Sequence, residues 1–319
     1  MLKRDPMNPA RSYGKLPLTP VLFLLLGAMW GTSFVAIELG LPYFPPVLFA
    51  SVRYYLAGGL ILGYAALTTE RWYPRTRAET AATALTGVFM FAGHHAFLYV
   101  GQQYVPGAVA SVVVSLTPIL TAVIASVALT GERMTALRVL GLLFGLAGVV
   151  AIAKPTGSAV ASTNLVGLGL VFLAATSFAL GSVLTQPFES RLPARSLQAW
   201  AMLVGAAVLH GVSVTRQESL TAIQWTPEAV ASLGYLTVVS GVLAFTLYFQ
   251  LLERVGPAEL NLVGYLEPLV ATVLSWLLLG HLVETSTLAG FLAIFAGFAL
   301  VKRRALLDFA LSTSRTTRH

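Results

Sequence analysis

The sequence predicts an all-α integral membrane protein: ten transmembrane helices in two inverted five-helix repeats, with both termini cytoplasmic. Three observations predict it. The 319 residues are 56% hydrophobic and only 10% charged, with a mean hydropathy of +0.79, whereas soluble domains run at about 25% charged residues. The apolar residues gather into ten runs, each near the length of about 20 residues that a helix needs to cross a hydrocarbon core. Residues 105–148 lie over 255–297 at an offset near 150, and an odd number of spans per copy turns the second copy over.

The spans follow in order. A tail, residues 1–17, carries Lys3, Arg4, Arg11 and Lys15. The first span, 18–39, has no small-residue cleavage site after it, so it is expected to stay in place rather than leave as a signal peptide. Trp30 and Ser33 share one of its faces. The second span, 46–67, begins after Pro45 and holds Arg53 eight residues in. The third, 80–100, contains His94 and His95, about 21 to 23 Å from its inner end; His95, Tyr99 and Gln102 form a row at spacings of four and three. The fourth, 107–129, follows Pro106 and aligns Ser111, Ser115 and Pro118. The fifth runs over 134–153, and an external linker, 154–163, closes the first repeat, 18–153.

The second repeat, 164–301, opens with a sixth span over 164–186, where Thr176, Ser177 and Gln186 are the polar members. The seventh, 195–214, holds His210, for which no partner is evident. The eighth, 227–251, holds Tyr235 and Tyr248. The ninth, 257–280, brings Asn261, Tyr265, Pro268, Thr272 and Ser275 into a band about 80° wide, with Glu267 about 120° from its middle. The tenth runs over 285–301, before a basic tail, 302–319.

Charge sets the orientation. With the N-terminus inside, 17 of the 20 Lys and Arg fall in inner segments, among them Arg71, Arg75, Arg77, Arg133, Arg138, Arg191, Arg195 and Arg254. Lys154 and Arg216 fall outside, and Arg53 lies within a span. The positive-inside rule therefore places both termini in the cytoplasm. The net charge of +7 belongs to orienting loops beside an anionic leaflet and not to a nucleic-acid surface. The repeat agrees: Gly131-Glu132-Arg133, an inner loop, answers to Gly280-His281-Leu282, an outer loop without Lys or Arg.

An ionisable group near the bilayer centre costs at least about 2.5 to 3.5 kcal/mol to insert, which makes each a functional candidate. Glu267 lies at the midplane beside Pro268, where a missing backbone donor would kink the helix and offer a carbonyl; it could carry a coupling proton or meet a substrate ammonium, or tie two helices together. Its repeat counterpart is Thr117, before Pro118. Arg53 either holds a substrate carboxylate or pairs with Glu38, and its solitude at depth argues against doubly charged phosphate substrates. His94 is a second candidate for ion coupling. Trp30, Ser33, His95, Tyr99, Ser115, Thr176, Tyr235, Asn261 and Tyr265 are candidate substrate contacts, against the plainer reading of hydroxyls and aromatics as helix packing and interfacial belt. Pro118, Pro268 and Arg53 are expected to shape the helices. No third His or carboxylate stands at metal-ligand spacing, and Cys is absent, so neither a metal nor a cofactor is expected.

The run Trp30-Gly31-Thr32-Ser33-Phe34, then Pro45-Pro46-Val47-Leu48-Phe49-Ala50 with Arg53, Val105-Pro106-Gly107-Ala108-Val109-Ala110, Leu116-Thr117-Pro118, Gly131-Glu132-Arg133 and Leu266-Glu267-Pro268 resembles the EamA-type branch of the drug/metabolite transporter superfamily. The resemblance covers residues 18–301 and rests on the order of these motifs. The chain departs from the family habit at His281 and at Thr176-Ser177-Phe178. The resemblance implies a ten-helix inverted-repeat secondary transporter in the plasma (cell inner) membrane. Such a protein exports or exchanges small metabolites such as amino acids or aromatic compounds, with a monomer sufficient and a dimer possible. Its partners would be a small-molecule substrate and the lipid bilayer, not nucleic acid. The competing classes are a membrane-embedded enzyme and a sensor or scaffold. The chain has no P-loop, no Gly-x-Ser-x-Gly and no His-Glu-x-x-His segment, and no connector long enough for an output domain.

Overall fold

The computed structural model describes residues 18–129, 135–153, 159–188, 190–255, 260–280, 284–297 and 299–300. The Gly131-Glu132-Arg133 loop, His281 and both tails lie outside them, as does the Asn261 side chain.

The described residues contain no strand. Their helices are α1 (Leu18–Gly40), α2 (Pro46–Thr68), α3 (Arg77–Leu85), α4 (His94–Gly101), α5 (Gly107–Val114), α6 (Thr117–Ala128), α7 (Ala136–Ala153), α8 (Ala159–Leu184), α9 (Ala194–Thr215), α10 (Pro227–Gly234), α11 (Ala244–Val255), α12 (Leu266–Leu279) and α13 (Thr285–Gly297). Among the described residues seven stretches are long and apolar enough to cross a membrane, some built of two helices, and three shorter apolar helices accompany them. Helix α8 extends back to Ala159, five residues before the expected start of that span.

Two interruptions position the centre of the molecule. A π-helical segment, Thr86–Gly93, joins α3 to α4, and another, Tyr235–Leu243, joins α10 to α11. The i→i−5 bonds are His94 N–H to Phe89 O in the first and Ala244 N–H to Val239 O in the second, each 150 residues after its counterpart. The Ser177 hydroxyl of α8 donates to the same Phe89 carbonyl at 2.8 Å. The other interruption falls in the next span. Helix α5 stops at Val114 and α6 restarts at Thr117, while α12 is preceded by a 3-10 turn, Asn261–Tyr265.

The prolines behave differently from the expected kinks. Pro118 stands in the first turn of α6 and Pro268 in the first turn of α12. There a backbone N–H is not needed by the helix, so proline starts a helix instead of bending one.

The helix contacts keep their pattern when the halves are exchanged. Helices α2 and α9 pack together; α9 packs on the first π segment and α2 on the second. Helix α1 meets α11 and α12, as α8 meets α4 and α6. The N-caps of α2 and α9 are Pro45 (φ −59°, ψ 131°) and Pro193 (φ −52°, ψ 137°). Close backbone crossings require glycine where α1 meets α12: a Cβ on Gly31 would lie 2.7 Å from Val270 Cβ and 2.8 Å from the Glu267 carbonyl oxygen. Where α7 meets α13, a Cβ on Gly148 would lie 2.6 Å from the Gly290 carbonyl oxygen, and one on Gly297 2.5 Å from that of Gly141.

Candidate functional site

The polar groups that the fold collects come from α2, α4 and the second π segment. Arg53 on α2 is only 3% exposed. Its Nη1 donates to the Tyr99 hydroxyl at 2.9 Å and its Nη2 to the Ser240 hydroxyl at 3.1 Å. The guanidinium carbon lies 4.7 Å from the centre of the Tyr54 ring, a cation–π contact, and Nε has no acceptor. Tyr235 stands close enough to interact electrostatically with the same cation, and its hydroxyl donates to the Met29 carbonyl at 3.2 Å. Among the described residues no carboxylate lies within ion-pair distance of Arg53.

The expected alternative of an Arg53–Glu38 pair is therefore not what forms. The Glu38 carboxylate accepts the Gly107 backbone N–H at 2.7 Å, at the start of α5. An anion at a helix N-terminus meets unpaired donors and the positive end of the dipole, which competes well with a distant cation.

The two histidines have definite partners. His94 is buried, its Nδ1 3.0 Å from the Ala174 carbonyl of α8, and its ring packs edge-on against His95 and Phe178. His95 Nδ1 lies 3.0 Å from the Phe91 carbonyl. A carbonyl only accepts, so Nδ1 carries hydrogen in both rings. Nε2 of a neutral His95 is then the acceptor for the Tyr54 hydroxyl, 2.5 Å away. A ladder of rings continues outward: Tyr54 to Phe91 at 5.1 Å, Phe91 to Phe245 at 6.1 Å, Phe245 to Trp30 at 5.1 Å, and Trp30 to Tyr248 at 5.4 Å.

The structure thus brings together Arg53, His94, His95, Tyr99 and Tyr235, with Trp30 joined to them through the rings of Phe91 and Phe245. Other candidates have other partners. Gln102, the end of the His95-Tyr99 row, donates through Nε2 to the Phe34 carbonyl at 3.1 Å and ties α4 to α1. Ser33, Ser115 and Thr176 each donate to a carbonyl of their own helical turn, at 2.5, 2.6 and 2.9 Å, to Trp30, Val112 and Phe172. Tyr265 packs edge-on against Phe295 of α13. Glu267 stands half-buried in the first turn of α12, its backbone under Gly31.

Tyr54 and Ser240 were not singled out by the sequence. Tyr54 had a signal in its adjacency to Arg53, the one Lys or Arg deep within a span. Ser240 had none, because the π segment shifts its phase out of the 100° rotation on which face assignments rest. An open groove of about 620 Å³ lies elsewhere, lined by Trp72, Tyr73, Pro74, Thr80, Thr83 and Trp200 among others. Its wall is aromatic and apolar, so it lacks the convergent polar groups that orient a solute.

Comparison with known proteins fits this architecture. The family model of the EamA-like transporter family matches twice, over residues 18–154 and 165–303. The chain is 32% identical over 292 residues to the uncharacterized transporter YvbV of Bacillus subtilis, covering 90% of this chain and 92% of that one. It is 31% identical over 263 residues to the uncharacterized inner membrane transporter YedA of Escherichia coli K12, covering 81% and 82%. A chain of known crystal structure superposes with a TM-score of 0.61 at 19% identity, over 88% of this chain and 96% of that one, a likeness of fold. Two matches of one model, separated by a short connector, are the duplication seen in the exchanged helix contacts, and the chain belongs to the EamA-like transporter family, a multi-pass membrane transporter of the drug/metabolite transporter superfamily.

Proposed function

We propose that the protein is a secondary transporter that exports or exchanges small metabolites, such as amino acids or other aromatic and amphipathic compounds, by alternating access around a midplane site. The observation that carries this reading is the Arg53 cluster. It is a polar centre buried in an apolar bundle, built from both halves and bordered by both π segments, whose residues Arg53, Tyr54, His95 and Tyr99 face Tyr235 and Ser240. Sites at repeat interfaces, edged by irregular backbone, suit rocking of one half against the other. Closure around Arg53 and Tyr99, which are 3% and 0% exposed, fits an occluded conformation.

In this reading Arg53, Tyr54, His95, Tyr99, Tyr235 and Ser240 contact the solute, and Trp30 closes one end. Ser33, Ser115, Thr176, Asn261 and Tyr265 form outer parts of the path, and Glu267 or His94 couples an ion. The chain comprises a cytoplasmic tail (1–17), a first repeat (18–153), an external linker (154–163), a second repeat (164–301) and a cytoplasmic basic tail (302–319). Together they make ten spans in the inner membrane of the cell, with both ends in the cytoplasm. A monomer suffices, and the chemistry is translocation and not catalysis.

Flux into proteoliposomes tests this. With a panel of amino acids and aromatic metabolites, with and without a pH gradient, at least one solute is expected to exchange across the membrane. Glu267→Gln is expected to lose gradient-driven uptake while keeping exchange of preloaded solute; undiminished gradient-driven uptake in that variant removes Glu267 from coupling.

A further inference from the structure

We propose that Arg53 is the counter-ion for a single carboxylate on the transported solute, so that the substrates are small monoanionic acids with an apolar or aromatic body. This rests on reading the Arg53 cluster as the solute site. Among the described residues no carboxylate lies within ion-pair distance of the cation. The nearest candidate by sequence, Glu38, is committed to the start of α5, and the groups that touch Arg53 are neutral: the Tyr99 and Ser240 hydroxyls and the face of the Tyr54 ring. A guanidinium held at 3% exposure, with Nε lacking an acceptor, is left under-compensated, and an isolated charge in an apolar interior is retained only where something pairs with it.

The surrounding hydroxyls are set for an anion. Tyr99 and Ser240 both accept from Arg53, so each keeps its own O–H hydrogen to donate. A carboxylate beside the guanidinium would then receive N–H and O–H donors together, the planar arrangement that arginine favours over lysine. Tyr54 is not a competitor, since its hydrogen is directed to His95 Nε2. The rings of Tyr54, Phe91 and Phe245 supply apolar surface for the rest of the molecule. One cation matches one negative charge, which separates this site from one for phosphate dianions.

The test uses the full-length protein and a matched pair of probes, 3-phenylpropanoate and its neutral amide, 3-phenylpropanamide. Binding is read as the shift of thermal unfolding in detergent, and flux separately by counterflow in proteoliposomes. The acid is expected to bind the wild-type protein at least tenfold more tightly than the amide. Arg53→Gln is expected to abolish that preference, leaving acid and amide alike, whereas Arg53→Lys keeps the preference but weakens the acid several-fold. Ser240→Ala, which leaves the charge in place, serves as the milder variant if Arg53→Gln does not fold and is expected to weaken the acid and not the amide. The proposal is overturned if the wild-type protein binds neither probe or does not distinguish them, or if Arg53→Gln keeps the preference. A structural role for Arg53 would lower acid and amide in parallel. Selective acid binding without counterflow leaves the anion site standing and removes the carrier reading; counterflow of both probes at equal rates does the reverse.

Discussion

At the scale of single residues, the centre is held by hydrogen bonds whose direction follows from what each atom can donate. Tyr54→Phe removes the donor to His95 Nε2 and leaves that nitrogen facing an apolar ring, at a cost of about 1 kcal/mol. Thermal unfolding in detergent should show the loss, and Tyr55→Phe, on an exposed position next door, should show none. Much of this centre was legible in the sequence. An arginine within a span is conspicuous, and His95 and Tyr99 stand one helical turn apart on an uninterrupted stretch, so their common face is geometry. What was not legible is which partner each polar group chooses. Glu38 is at the right depth for Arg53, yet its carboxylate accepts the Gly107 N–H; distances across helices are not written in any one of them. The hydroxyls of Ser33, Ser115 and Thr176 read as candidate contacts by type, and each donates to a carbonyl three or four residues back, an option open to any hydroxyl in a helix.

At the scale of elements, the π segments decide what the helices present. Each widened turn accommodates an extra residue, so the chain after it is rotated relative to an α-helix of the same length. Inserting one residue between Gly93 and His94, where the α-helix resumes, should turn His94, His95 and Tyr99 by about 100°. Expected are normal membrane insertion, loss of the Tyr99–Arg53 contact and loss of solute binding; an insertion variant that binds normally would show that the phase does not matter. Periodicity in the sequence could not reveal these segments, because a π turn leaves no composition of its own. Proline was misleading for the opposite reason: it signals an irregularity, and only the structure shows that the irregularity precedes it. The crossing of α1 and α12 carries its own expectation. Gly31→Ala forces a methyl group against the Glu267 carbonyl and Val270, an overpacking worth about 1 to 3 kcal/mol, measurable as lower thermal stability. Gly59→Ala, where a Cβ meets nothing within 4 Å, is the control.

At the scale of the whole molecule, duplication is the organising fact, and the sequence carried it openly through the offset near 150 and the charge difference between equivalent loops. A reporter fused after Arg304 is expected to read cytoplasmic, and one inserted at residues 156–163 external; the reverse pattern overturns the orientation. The glycine crossing of α7 and α13 joins one helix of each half, so Gly148→Leu should weaken the bundle as a whole and lower the yield of folded protein, without a selective effect on any one solute.

The frame is doubled, but its buried cation is not. The N-cap prolines align Pro45 with Pro193, which sets Arg53 against Ala201, a buried methyl group in α9. If the halves exchange conformations during transport, a fixed positive charge travels with one of them through part of the membrane field, where a full crossing is worth about 2.3 kcal/mol per 100 mV. The resting voltage then favours one facing of the empty protein over the other, and a solute that neutralises Arg53 cancels that bias. Carrying an acid would be electrically silent, while the return of the empty protein would not. Transient currents on a supported membrane should therefore appear in the unloaded wild-type protein, fade as 3-phenylpropanoate is added, and be absent from Arg53→Gln.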